Sequence, residues 1–174
     1  INTVNDFGLE RNKDIFIVGN WFFGKYSYGA VLRCQSDVGL TIEDNSFALC
    51  DIGTLSAGSL SCITVVTRNP SASASDPPRG IRIIGNRALY GLAGGAARIF
   101  IYVHNDWDVG NGRKPIFGVE IRGNRCSSPS ATEYFTSFIL ISGSHGGMED
   151  VRLFDNIGTV YLKDISATGF LQGG

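Results

Sequence analysis

The sequence is poor in the residues that build metal and redox centres. It has two histidines, one methionine and four cysteines, and Cys34, Cys50, Cys62 and Cys126 form no C-x-x-C pair and have no neighbouring histidine. That spacing excludes the common zinc patterns and leaves free, mostly buried thiols as the plain reading, with a Cys50 to Cys62 clip as the one disulfide to test. Charge is sparse and balanced: 15 Lys and Arg against 16 Asp and Glu give a net charge of −1. The chain as a whole therefore generates no field that would draw nucleic acid or an anionic membrane. Nor does any run approach the 18 or more apolar residues of a membrane helix. The opening "INTVNDFGLERNKD" has no basic-then-apolar leader pattern and no initiator methionine, so a piece of a longer chain is expected. There is no phosphate-binding loop, no dinucleotide fingerprint and no G-x-S-x-G nucleophile elbow, so no cofactor is expected. Helical periodicity is absent as well.

What the sequence does contain is one short pattern written five times. "DIFIVGN", "GLTIEDN", "GIRIIGN", "GVEIRGN" and "DVRLFDN" each open on Gly or Asp, alternate apolar with variable residues, and close on Gly or Asp followed by Asn. The closing asparagines, Asn20, Asn45, Asn86, Asn124 and Asn156, are 25, 41, 38 and 32 residues apart. A constant motif at an irregular period describes stacked repeats with surface loops of different length. Strand side chains alternate between two faces, so the pattern divides into columns. Ile15, Leu40, Ile81, Val119 and Val151 form one inward column, and Ile17, Ile42, Ile83, Ile121 and Leu153 a second. All ten positions are aliphatic, and β-branching is too frequent for a helix. The Asn is expected to take the left-handed backbone angle of a sharp turn and to hydrogen-bond along the stack.

A second strand precedes each motif, at "VNDFGLE", "AVLRCQ", "CITVVT", "RIFIYVH" and "SFILIS", with "TVYLKDI" at the C-terminal end. Excursions are expected at roughly 47 to 60, 68 to 80, 104 to 117 and 125 to 136. The Ser, Ala and Pro rich stretch 69 to 80 has strands on both sides and is therefore a loop, so residues 1 to 174 make one domain. An open end of such a stack exposes strand edges and interior, which neighbouring sequence or a partner chain should cover.

These columns and corners resemble the right-handed parallel β-helix proteins of the pectate lyase-like group, which includes polysaccharide lyases, hydrolases, epimerases and bacteriophage tailspikes. The resemblance implies an all-β, right-handed parallel β-helix of about five coils with long loops. Its irregular loops and ends look most like a tailspike or tail-appendage segment, which implies a homotrimer in the virion that binds host surface polysaccharide, with no nucleic acid partner and no membrane insertion. A secreted polysaccharide-degrading enzyme and a ligand-free structural spacer are the alternatives.

Outward residues carry the candidate chemistry. Glu120 falls between Arg82 and Arg152 if repeats stack about 4.8 Å apart, which suits an ion-pair ladder rather than a general acid. Glu43, flanked by Val18 and Ile84, has no charged column neighbour and is a candidate acid. In "HNDWDVGNGRKP", Asp106 and Asp108 bracket Trp107, offering two carboxylates and an aromatic platform as sugar hydrolysis requires; a hydrogen-bonded surface turn is the plainer reading. A dedicated calcium or other metal site lacks the needed acidic spacing. Trp21, Tyr26 and Tyr28 in "GNWFFGKYSYG" are candidate sugar contacts, while Phe22 or Phe23 should enter the core. His104 and His145 fall on different loops. Phe16, Val18, Ile84 and Phe154 are apolar where a sheet face should meet water, so loops or further copies of the chain are expected to cover them.

Overall fold

The computed structural model describes the backbone of residues 2–3, 13–26, 30–35, 38–52, 60–68, 79–89, 98–106, 116–127, 137–143 and 148–158. Among the described residues there are fifteen strands and no helix. In chain order they come in threes. The first repeat holds β1 (Asn2–Thr3), β2 (Phe16–Val18) and β3 (Trp21–Tyr26), and the second β4 (Ala30–Gln35), β5 (Thr41–Glu43) and β6 (Ser46–Ile52). The third holds β7 (Leu60–Arg68), β8 (Arg79–Ile84) and β9 (Arg87–Leu89), and the fourth β10 (Arg98–Asp106), β11 (Ile116–Arg122) and β12 (Arg125–Ser127). The fifth closes with β13 (Ser137–Gly143), β14 (Met148–Phe154) and β15 (Ile157–Gly158).

Every third strand joins the same sheet, so three five-stranded sheets form, each ordered as the chain is ordered: A from β1, β4, β7, β10 and β13; B from β2, β5, β8, β11 and β14; C from β3, β6, β9, β12 and β15. Every strand pairing is parallel. The chain is thus all-β with parallel strands in stacked sheets, consistent with a parallel β-helix.

Sheet B is the repeated motif. Ile17, Ile42, Ile83, Ile121 and Leu153 are successive register partners, as the sequence columns require. The first four are buried, whereas Leu153 in the last repeat is 41% exposed. Side chains of this size each contribute about 1.5–3 kcal/mol when fully buried, against at most about 1 kcal/mol for an exposed ion pair. The columns, rather than the charged surface, therefore hold the stack together.

The motif's two Gly-or-Asp positions have a shared backbone reason. Among the described residues, the positive φ angles fall on the opening residues Asp14, Gly39, Gly80, Gly118 and Asp150 and on the closing residues Gly19, Asp44, Gly85, Gly123 and Asp155, all between 51° and 72°. The left-handed region is open to Gly and, among ordinary residues, most accessible to Asn and Asp. The expectation that Asn itself takes this angle is therefore corrected: the residue before it does. At the opening corner the left-handed residue resets the alternation, so Ile116 and Val119, three apart, are both buried while Phe117 between them is exposed. Glycine beside an aspartate in the stack has a steric reason as well, because a Cβ on Gly39 would lie 2.7 Å from Asp14 Oδ1.

Asn takes a different task. Asn45, Asn86 and Asn124 are wholly buried. Each passes its side-chain N–H to the next repeat's Oδ1, at 3.0 Å from Asn20 to Asn45, 3.0 Å from Asn45 to Asn86, 3.0 Å from Asn86 to Asn124 and 2.9 Å from Asn124 to Asn156. The backbone N–H of each donates to the same Oδ1 acceptors. The corner's buried polar groups are thus satisfied within the stack.

The sequence reading had at least two strands per repeat and did not place the third; it had excursions at roughly 47 to 60 and 125 to 136, and β6 and β12 occupy parts of both. The third strands contribute a third inward column, Phe22, Phe47, Ala88, Cys126 and Gly158. Phe22 packs on the core while Phe23 is exposed. Where this column shrinks, rings from sheet A fill in. Phe22 stacks on Phe47 at 5.0 Å, Phe47 meets Phe100 edge-on at 6.0 Å, and Phe100 stacks on Phe138 at 5.7 Å. The Phe138 ring occupies the space that a Cβ on Gly158 would need. Of the second strands read from sequence, "AVLRCQ" is β4 itself and three others lie within β7, β10 and β13; "VNDFGLE" and "TVYLKDI" lie outside the described residues. Cys34, Cys62 and Cys126 are buried thiols outside any disulfide, so the Cys50 to Cys62 clip is not formed. Burial pushes the Cys126 thiol up to about 12.

Candidate functional site

Sheet B presents three outward columns. They run Lys13, Val38, Arg79, Phe117, Glu149; then Phe16, Thr41, Arg82, Glu120, Arg152; then Val18, Glu43, Ile84, Arg122, Phe154. Glu120 does lie in register between Arg82 and Arg152, but its ion pairs differ from the expectation. It binds Arg82 at 3.4 Å and Arg122, two residues along its own strand, at 3.1 Å, while Arg152 turns to Asp150 at 2.9 Å. Same-face neighbours on one strand are within reach of a long guanidinium, and Asp150 stands just as close to Arg152 along its strand. Arg122 also lies 5.9 Å from the centre of the Phe154 ring, a cation–π contact. Glu43 sits half-buried between Val18 and Ile84, as its column implies.

The other candidate carboxylates are elsewhere. Asp106 ends β10 on sheet A, so its strand and that of Glu43 belong to different sheets; its side chain, together with Trp107 and Asp108, lies outside the described residues. Tyr26 ends β3, its side chain also outside the described residues, as is Tyr28. Trp21 is described, and it is 71% exposed. Two further rings of the same repeat are equally open, Phe16 at 69% and Phe23 at 73%. Phe16 belongs to sheet B; Trp21 and Phe23 belong to sheet C. Among the described residues, no group of three or more His, Cys, Asp or Glu side chains could hold a metal ion.

Sheet A places a polar cluster that the sequence reading missed. His104, expected on a loop, is within β10 and in register with Ser142 of β13, and its Nδ1 is 2.7 Å from Ser142 Oγ. Ser142 donates to the Tyr102 hydroxyl at 3.2 Å, and the Tyr102 and His104 rings stack at 5.6 Å. The available signal was the alternation of "RIFIYVH", which puts Tyr102 and His104 on one face. His145 lies outside the described residues. Sheet C carries a second unforeseen feature, the outward column Trp21, Ser46, Arg87, Arg125 and Ile157. Its signal was Arg directly after the Asn in "GNRA" and "GNRC".

Fold and surface together define a class: stacked parallel sheets with an apolar interior, a buried asparagine ladder, and outer faces that mix aromatic, apolar and arginine side chains. Compared with known proteins, the chain matches no family model, no curated protein and no solved structure.

Proposed function

We propose that this chain is a right-handed parallel β-helix segment of a phage tailspike or tail-fibre-like virion protein, assembled as a trimer, whose outer surface binds host polysaccharide. The observation that carries the reading is the trio Phe16, Trp21 and Phe23, three rings more than two-thirds exposed within one repeat. Open rings are costly to leave against water, and their apolar faces match the C–H faces of sugars. The two sheets divide the work. On sheet B, the apolar side chains Phe16, Val18, Phe117 and Phe154 alternate with ion pairs, a surface suited to packing against further copies of the chain. On sheet C, Trp21 and Phe23 offer a platform to a glycan.

The test uses the full chain. A solution mass near three times 18.7 kDa is expected, as is binding to capsular or lipopolysaccharide glycans. Trp21→Ala should abolish glycan binding and leave the mass unchanged. A monomer that binds no glycan sinks the proposal.

A second reading, a polysaccharide-degrading enzyme, is favoured by the Tyr102, His104 and Ser142 cluster, with Asp106 two residues beyond His104 at the end of β10. Shortened glycan products that disappear in His104→Gln or Asp106→Asn would favour it.

A further inference from the structure

Arg87 and Arg125 are direct register partners on neighbouring strands of sheet C, and both are exposed. Adjacent strands are about 4.8 Å apart, and like charges directly opposite one another destabilise a strand pair. On sheet B three arginines have acidic partners: Arg82 and Arg122 share Glu120, and Arg152 has Asp150. Among the described residues, Arg87 and Arg125 have no such carboxylate. Their column contains Trp21, Ser46 and Ile157, and the next outward column contains Ala48, Leu89 and Ser127. The acidic corner residues Asp44 and Asp155 lie in the repeats on either side, where the corners preceding Arg87 and Arg125 are Gly85 and Gly123. The result is a stripe of hydrogen-bond donors, Ser46, Arg87, Arg125 and Ser127, bordered by the exposed apolar side chains Leu89 and Ile157. The balanced net charge of the chain conceals this local surplus.

We propose that this stripe binds an acidic polysaccharide, with carboxylates on the glycan supplying the counter-charges that the sheet omits. One strand step is close to the length that one sugar ring adds to an extended glycan, so carboxylates on successive sugars can meet successive arginines. Leu89 and Ile157 meet the ring faces, and Trp21 stands at the far end of the same column. A polynucleotide is the poorer fit, because two arginines between apolar neighbours do not make an extended phosphate track and the net charge adds no attraction. This inference rests on the glycan-binding reading and adds the charge class of the sugar.

The experiment measures binding of the full chain to polygalacturonate, to its fully methyl-esterified form, to dextran and to a single-stranded oligonucleotide. Polygalacturonate is expected to bind at least tenfold more tightly than the ester, and to weaken as salt rises. The double variant R87Q/R125Q should remove that preference, while R152Q, on sheet B, should keep it. An unfolding midpoint for R87Q/R125Q at or above that of the parent shows that the loss is not a folding defect, since the substitution relieves repulsion. Equal binding of acid and ester, or an acid preference that survives R87Q/R125Q, overturns the inference. If neutral glycan still binds through Trp21, the earlier reading stands without it; if no glycan binds, both fall. Oligonucleotide binding of equal strength with the same arginine dependence overturns the choice of a polysaccharide.

Discussion

Replacing Asn86 with Ala removes the centre of the buried ladder. Five hydrogen bonds go with the side chain: two accepted at Oδ1, from the Asn45 backbone N–H and the Asn45 amide, and three donated, to Ile42 O, Ile84 O and Asn124 Oδ1. A typical hydrogen bond contributes about 0.5–1.5 kcal/mol net, and a buried donor left without a partner costs about 1–3 kcal/mol. The Asn45 backbone N–H becomes such a donor, since Asn45 is wholly buried. The summed loss is roughly 3–5 kcal/mol, a large part of the stability of a domain this size. Asn20→Ala at the exposed end of the ladder is the internal control. It loses only the amide's bonds to Val18 O and Asn45 Oδ1, so about 1 kcal/mol is expected. Urea unfolding of the two variants measures the difference directly. If Asn86→Ala lies within about 1 kcal/mol of Asn20→Ala, the ladder is not what secures the corner and the reasoning fails.

Further outcomes follow from the same geometry. Gly85→Ala should lose more stability than Gly123→Ala, because a Cβ at Gly85 collides with Asp44 Oδ1 whereas one at Gly123 has its nearest neighbour 3.9 Å away; in an Asp44→Gly background the excess should vanish, as thermal melts would show. Phe100→Ala removes the ring that bridges Phe47 and Phe138 and should cost about 3–5 kcal/mol in denaturant unfolding. Trp21→Ala should change stability by less than about 0.5 kcal/mol while abolishing glycan binding, because its ring is exposed. Cys126 gives a pH dependence: its thiol is held neutral up to about 12 in the fold against 9.0 for the free group, so above pH 9 the unfolded chain releases a proton that the folded chain keeps. Stability contributed by this group is therefore complete below pH 9 and falls by at most about 1.4 kcal/mol per pH unit between there and 12. Cys126→Ala should flatten that decline relative to the parent protein, and a thiol reagent at pH 8 should label Cys126 only after unfolding.

Sheet B was legible in the sequence because its strands run between two backbone positions that admit little besides Gly and Asp, so each column aligned itself on a fixed frame. The ladder was legible for the same reason, although the left-handed angle lay one residue earlier than its most conspicuous residue suggested. Sheet C was not. Its strands β9 and β12 are three residues each, with a single inward position, and that position varies from Phe47 to Ala88 to Cys126 because rings from sheet A occupy the remaining space. A column whose size is set by another sheet carries no hydrophobic signature of its own. The surface pairings were partly legible. Register placed Arg82, Glu120 and Arg152 in one column, but flexible guanidinium groups chose partners along the strand as well as across it. The arginine pair on sheet C could not be seen before that sheet was known, since Arg87 and Arg125 are 38 residues apart in the chain.

The stacking of repeats in register is the claim beneath all the others, and spin-label distances test it most directly. Phe16 and Arg152 end one outward column of sheet B, and Trp21 and Ile157 end one of sheet C, each pair four strand steps apart. At about 4.8 Å per step, both pairs should give narrow distributions centred near about 19 Å. Broad distributions, or centres that differ between the two pairs by more than about two strand steps of that length, would contradict the account.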